Sequence, residues 1–393
     1  MSPRPKRIFI STGELSGEML AVSLVRELKA HDSHLEFFGI SGDLLETEGV
    51  IRIIDNKDLS VIGFGEVLAM LPKLVRLEEE VFRSLDEIKP DIAILVDYPG
   101  FHFRIAPALK ARGIKVVQYV APKVWAWGQS RVKKLKKNFD LVLGVLPFEE
   151  AFFKEHGVNY HYVGSPHIDR VNDVSALDRF TSMKADGKLI ALLPGSRKGE
   201  IKRLLIPLLS IAKDLIQRDP TLKFLIPVAS NLKAQALMET VASFWGAEIV
   251  SASGHSDIGP IRIVSGQSLE VMKASDFAVV TSGTATLECG LLGTPQVIVY
   301  RASALSYAIG IRLLKVPWVG LVNLSAGREI AKEFIQHFKV NEISLHIEKI
   351  LSEPSLYAEA KNELTLLRSK FKGEAEIEAS KMILKLADSS LCG

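Results

Sequence analysis

Cysteine is nearly absent from this 393-residue chain: Cys289 and Cys392 are the only two. A disulfide framework is therefore not expected, and a reducing compartment fits. Long apolar runs are lacking as well. Stretches such as 92–96 and 204–209 fall far short of the ~18 residues of a membrane span. Residues 7–11 already read as a strand, so no signal peptide is expected. Charge of one sign is missing too. Lys and Arg total 49 against 46 Asp and Glu, a net of +3, which gives no whole-chain case for nucleic acid. Neither an Asp-x-Asp pair nor a His/Cys cluster at ligand spacing occurs, so neither a metal nor a cofactor is expected.

What is present is rhythm. Short apolar runs at 7–11, 36–40, 92–96, 115–120, 141–145 and 160–163 alternate with helical patterns, notably 19–30, 63–85 and 106–112. The same alternation restarts at 189–193, 223–227, 248–251, 277–281 and 296–300. Short continuous apolar runs between helices are the pattern of a buried parallel sheet. The fold class expected is α/β, with two doubly wound, Rossmann-like domains facing across a cleft. The polar stretch 171–187 marks the boundary. The expected division is a first domain over 1–172, a second over 173–355, and C-terminal helices over 356–393 that cross back onto the first.

Two strand-loop-helix segments carry the chemistry. In the first, the run 189–193 ends in Pro194, Gly195, Ser196 and Arg197; in the second, 277–281 leads into Ser282, Gly283, Thr284, Ala285, Thr286, Leu287 and Glu288. Small residues at a helix start present backbone N–H groups and the positive dipole end to an anion. Arg197 adds a planar fork suited to phosphate oxygens. Glu288, expected in the first helical turn, suits a two-oxygen grip on ribose hydroxyls or a favourable dipole contact. A plain βα turn with a solvated Arg is the competing reading for the first loop alone. Together the loops suggest a nucleotide-sugar enzyme. Asp97 follows the buried run 92–96 and precedes Pro99 and Gly100, where a doubly wound sheet exposes its functional side chains. It is the candidate general base, unless it merely caps the next turn. Glu14 and Glu18 flank the first strand-loop-helix turn and accept hydrogen bonds from sugar hydroxyls or serve the following helix. Glu14 is the second candidate base.

Read with Gly13 to Glu18, Val96 to Phe101, Val124 to Trp127 and Leu321 to Glu329, these loops resemble the lipid-A-disaccharide synthases, family 19 of the GT-B glycosyltransferases. The resemblance runs from about residue 7 to residue 335. It implies an inverting enzyme that transfers 2,3-diacylglucosamine from UDP to 2,3-diacylglucosamine 1-phosphate, forming a β-1,6 disaccharide and UDP. It places UDP contacts on Gly195, Ser196, Arg197, Thr284, Ala285, Thr286 and Glu288, with Asn323 and Arg328 closing the donor pocket. Ser16 and Gly17 join Glu14 on the acceptor side. It further implies a cytoplasmic protein, peripheral on the inner face of the inner membrane, with a homodimer left open. Glu18, His102, Ser165 and Val322 depart from the family pattern. Other UDP-sugar GT-B enzymes, an epimerase or a peptidoglycan precursor transferase, stay open, as does an inactive UDP-binding scaffold.

Acylated substrates would bring the chain to a bilayer surface. The apolar stretch 61–77 and the basic residues Arg131, Lys133, Lys134, Lys136 and Lys137, close after Trp125 and Trp127, are the candidate contacts. A core helix and a solvated helix face are the bland counterparts.

Overall fold

The computed structural model describes residues 5–60, 67–175, 180, 183–184, 187–229, 234–252 and 254–388. The chain divides into two compact units, the first formed by residues up to Pro166 together with those from Lys372, the second by His167–Phe371.

The first unit is built on seven parallel strands: β1 (Arg7–Thr12), β2 (Glu36–Ser41), β3 (Ile51–Asp55), β4 (Ile92–Val96), β5 (Lys115–Tyr119), β6 (Leu141–Gly144) and β7 (Tyr160–Tyr162). Their order is β3-β2-β1-β4-β5-β6-β7. β4 is buried along its whole length and β1 along all but its first residue, as expected of central strands covered on both faces. Strand order reverses at β1, whose residues 8–12 register with Ile92–Val96 of β4. The loops leaving Thr12 and Val96 therefore frame the switch point, where such sheets bind ligands. Helix Ala375–Asp388 belongs to this unit and packs on helix Leu15–His31.

The described residues of the second unit form a sheet of eight strands in the order β10-β11-β12-β9-β8-β13-β14-β15: β8 (Leu189–Leu193), β9 (Lys223–Val228), β10 (Val250–Ala252), β11 (His255–Ile258), β12 (Ile261–Ser265), β13 (Phe277–Thr281), β14 (Gln296–Tyr300) and β15 (Glu333–Ile335). All pairs are parallel except β10–β11 and β11–β12. Here order reverses at β8, between β9 and β13. The two doubly wound sheets are those expected from the pattern. Four strands were not visible in it. β11 alternates buried and half-buried residues, β12 follows a Gly259-Pro260 turn, and β3 and β15 are short, partly exposed edges. The run expected at 248–251 forms instead at Val250–Ala252, an exposed antiparallel edge.

Candidate functional site

In the first unit the chemistry gathers at the β1/β4 switch point. Asp97 and Tyr98 both hold left-handed backbone, with φ of 51° and 43°, and Val120 after β5 holds 66°. Such conformations cost roughly 1–3 kcal/mol each and persist only where surroundings enforce them. Buried Gln118 does so: its Nε2 donates to the Asp97 carbonyl at 3.0 Å and the Val120 carbonyl at 3.3 Å. The Asp97 N–H donates to the Tyr119 carbonyl at 2.9 Å. Gly13 is required because a Cβ there would meet the Tyr98 ring at 2.1 Å. Gly17 is buried, 3.7 Å from the Asp97 Cβ by the same construction.

Asp97 keeps an exposed edge, yet loss of water around its carboxyl raises its pKa above the ordinary aspartate range. Lys123 and the Tyr98 N–H pull the other way. A carboxylate made more basic while still solvent-accessible suits proton abstraction. His102 lies beneath, fully buried with Nε2 3.0 Å from Ser11 Oγ. Burial pushes its pKa down to about 3, so it is neutral.

Glu14 and Ser16 are exposed at the start of helix Leu15–His31, and the Glu14 side chain makes no capping bond. With Leu15, Glu18, Gly42, Asp43, Leu44, Asn56 and Lys57, Glu14 lines a cavity of about 510 Å³. Glu18 lines that cavity with both carboxylate oxygens already engaged. It is buried, accepting from Leu45 N at Oε1 and Asn56 Nδ2 at Oε2, both at 3.0 Å. Burial of a carboxylate demands such partners, and they lock it in place.

A second buried carboxylate lies beyond the motifs. Glu149 accepts from Trp125 Nε1 at 2.9 Å and from Tyr160 OH at 3.2 Å. Burial raises its pKa to about 7 against the pull of these donors and of Lys123. Glu149 thereby anchors the loop whose Trp127 is exposed and stacked 5.1 Å from Arg131. Lys133, Lys134, Lys136 and Lys137 are exposed on the next helix, Val132–Asn138. The apolar stretch 61–77 lies in part outside the described residues.

In the second unit the two predicted loops flank the β8/β13 switch point, tied by the Thr281 hydroxyl donating to the Leu193 carbonyl at 2.8 Å. Gly195 has φ of 105°, and a Cβ there would approach Glu200 Oε2 to 2.5 Å. The N-terminus of helix Lys198–Arg218 is not an open anion cradle. Glu200 accepts from Ser196 N at 3.1 Å and Arg197 N at 3.2 Å, and pairs with the Arg197 guanidinium at 3.0 Å. A carboxylate of the protein thus takes the amides that a helix N-terminus offers to an anion, while the Arg197 side chain stays 79% exposed.

At the second loop Gly283 and Thr284 are exposed and Ala285 half-buried. Thr286 does not face outward: it is buried, and its hydroxyl donates to the Gly283 carbonyl at 2.8 Å. Glu288 is not in the first turn of helix Thr284–Leu291 but in the next, and it is buried. Its Oε1 pairs with Arg170 at 2.8 Å and with His167 Nδ1 at 3.4 Å. Burial pushes its pKa up, but these partners outweigh it and hold the carboxyl below the ordinary glutamate range.

Asn323 is fully buried, with three hydrogen bonds to backbone and one to the Glu333 carboxylate. Nδ2 donates to the Ala331 carbonyl at 2.7 Å and to Glu333 at 2.9 Å, and Oδ1 accepts from Ile330 N and Ala331 N, both at 2.9 Å. Arg328 is exposed and paired with Glu363. Of the departures, Val322 is core and Ser165 is buried, its N–H on the Lys372 carbonyl. Gln118, Lys123, Glu149 and Arg170 went unread because no spacing announces a partner that tertiary folding supplies; Glu200 went unread although its place three residues after Arg197 is capping-box spacing.

Solved structures of similar fold include a putative UDP-N-acetylglucosamine 2-epimerase from Listeria monocytogenes (TM-score 0.62, 13% identity, 98% of this chain and 97% of that one). The glycotransferase of kitacinnamycin is another (TM-score 0.63, 14%, 98% and 99%). At such identities they support the two-sheet architecture alone. The lipid-A-disaccharide synthase of Myxococcus xanthus is 41% identical over 335 residues, 84% of each chain. That of Syntrophus aciditrophicus is 37% identical over 393 residues, 98% of this chain and 99% of its own. The family model described as lipid-A-disaccharide synthetase matches residues 8–386. With that match spanning nearly its whole length, the chain belongs to the lipid-A-disaccharide synthetase family.

Proposed function

We propose that this chain is an inverting glycosyltransferase of lipid A assembly that joins UDP-2,3-diacylglucosamine to 2,3-diacylglucosamine 1-phosphate. The acceptor's 6-hydroxyl attacks the anomeric carbon from the face opposite UDP. Its proton passes to Asp97 as the new C–O bond forms. The bond to the diphosphate breaks, and its electron pair goes to the departing phosphate oxygen. Asp97 carries the reading, because a strained, partly desolvated carboxylate at a sheet's switch point has the placement and basicity the attack demands. Glu14, exposed beside the cavity, is the nearest substitute base.

On the donor side, Arg197 and the amides at Gly283 and Thr284 supply charge for the leaving diphosphate. Glu200 moves off the Ser196 and Arg197 amides when the diphosphate arrives, exchanging one anion for another. In this reading Thr286 and Asn323 shape the loops, and Glu288 meets ribose hydroxyls only beside Arg170. Arg328 and Ala285 border the pocket, and Gly195 gives the phosphates room. Ser16 and Gly17 border the acceptor site. Among the described residues no group of three or more His, Cys, Asp or Glu is placed to hold a metal ion, and in this reading the lysines of helix Val132–Asn138 hold the protein to the anionic cytoplasmic face of the inner membrane.

The test is Asp97→Asn, which keeps size and polarity but cannot take the proton. Turnover should fall by ~10²–10⁴-fold, with UDP affinity near that of the parent. Near-normal turnover in the folded variant would move the base role to Glu14.

A further inference from the structure

Helix Ala304–Leu313 contradicts its surroundings. Its sequence, ALSYAIGIRL, has a single charged residue, Arg312, and no polar face, the composition of a helix buried on all sides. Yet residues 310–315 are all exposed. Ile311 is 61% exposed, Leu313 54% and Leu314 37%, and a Cβ added at Gly310 would meet nothing within 4 Å. Single exposed aliphatics are ordinary, but three within four positions make a patch that calls for a partner.

The charge around the patch selects the partner. From Arg301 through Arg328 the chain has Arg301, Arg312, Lys315 and Arg328 and no acidic residue. Arg301 is spent inside the unit, stacked 4.2 Å from the Phe338 ring. Arg312 and Lys315 are exposed among the aliphatics, with Trp318 half-buried just beyond. Aliphatics to insert, cations to meet phosphate and a nearby Trp make up the chemistry of an interfacial helix. A second copy using the same face would set these cations against their own equivalents, which disfavours it.

The patch also connects to the donor loop. The Ser282 hydroxyl donates to the Val319 carbonyl at 3.0 Å, and Glu333 accepts from Val319 N and Gly320 N, each at 2.9 Å. The segment thus returns into the body of the unit against the loop that starts helix Thr284–Leu291. We propose that the exposed end of helix Ala304–Leu313, with residues 314 and 315, is a docking surface for an anionic lipid bilayer, inserting Ile311, Leu313 and Leu314 and holding the donor loop at the membrane where an acylated donor resides. The proposal rests on the reaction proposed above only for the nature of that donor.

The test is co-sedimentation of the full chain with vesicles of phosphatidylglycerol, using phosphatidylcholine as the uncharged control. Arg312→Gln with Lys315→Gln should weaken phosphatidylglycerol binding by roughly tenfold or more and flatten its salt dependence. Ile311→Ser, Leu313→Ser and Leu314→Ser together should weaken binding at high salt as well. Both variants should melt like the parent, since the side chains are exposed. Unchanged vesicle binding in both, or none by the parent, overturns the proposal. A change in solution mass with unchanged vesicle binding also overturns it and assigns the face to a second copy. Binding needs no turnover, so a chain that docks through this patch but transfers no sugar would sink the reaction and leave the docking surface standing.

Discussion

Replacing Asn323 by Ala is the sharpest test of how the second unit is held together. The side chain makes four hydrogen bonds between 2.7 and 2.9 Å while fully buried, clasping the strand entry at Ile330 and Ala331 and bracing Glu333. Truncation removes all four. Ile330 is half-buried and Glu333 keeps its bonds from Val319 N and Gly320 N, so neither group is stranded. The N–H and carbonyl of Ala331, which is only 2% exposed, are. Two stranded groups at about 1–3 kcal/mol each, with some relief from a water entering the gap, give a loss of about 3–4 kcal/mol. For a unit of this size that corresponds to a fall of roughly 6–16 °C in melting temperature. Asn323→Asp should be no better near neutral pH, because it turns a carboxylate on the Glu333 carboxylate and the Ala331 carbonyl. Thermal and denaturant melts with UDP calorimetry on the same samples provide the readout. Parent-like melting with abolished UDP affinity would refute the latch and make Asn323 a ligand contact.

Two buried groups give the first unit opposing pH dependences. Glu149, with an ordinary value of 4.5 and about 7 in the fold, keeps a proton the unfolded chain loses, so stability falls as pH rises from 4.5 to 7, by ~3 kcal/mol in all. His102, ordinarily 6.5 and about 3 in the fold, refuses a proton the unfolded chain takes, so stability falls as pH drops below 6.5. Between pH 4.5 and 6.5 the slopes cancel; Glu149→Gln should expose a stability that rises with pH there, and equal slopes in variant and parent would discard the assignment. Glu200→Ala should cost about 1 kcal/mol of helix capping yet tighten inorganic diphosphate binding, since it clears the Ser196 and Arg197 amides; weaker binding would mean the carboxylate organises the loop rather than occupying it. Arg170→Ala should destabilise the second unit by about 1–2 kcal/mol, because it leaves buried Glu288 with only His167 while the half-exposed Arg170 already shares its charge with water, and an unchanged melt would show the pair to be idle.

Burial made the central strands legible. β4, β8 and β13 are covered on both faces, so their runs are continuously apolar and stood out against flanking helices. β3 and β11 carry charge or alternate, and nothing local marks them as sheet members. The loops were located for the same reason, since each follows one of those strands. The partners of their side chains were not. Glu288 meets Arg170 from 118 positions away, and Trp125 meets Glu149 from 24. Such pairings are products of topology, whereas a sequence period reports only which face a residue shares with its neighbours.

The central claim is the transfer itself. The full chain, given UDP-2,3-diacylglucosamine and 2,3-diacylglucosamine 1-phosphate in dispersed lipid, should release UDP and yield one new species with the mass of the tetraacylated disaccharide phosphate, in equal amounts. A donor converted to an isomer of unchanged mass, or UDP released with free diacylglucosamine and no disaccharide, would contradict it.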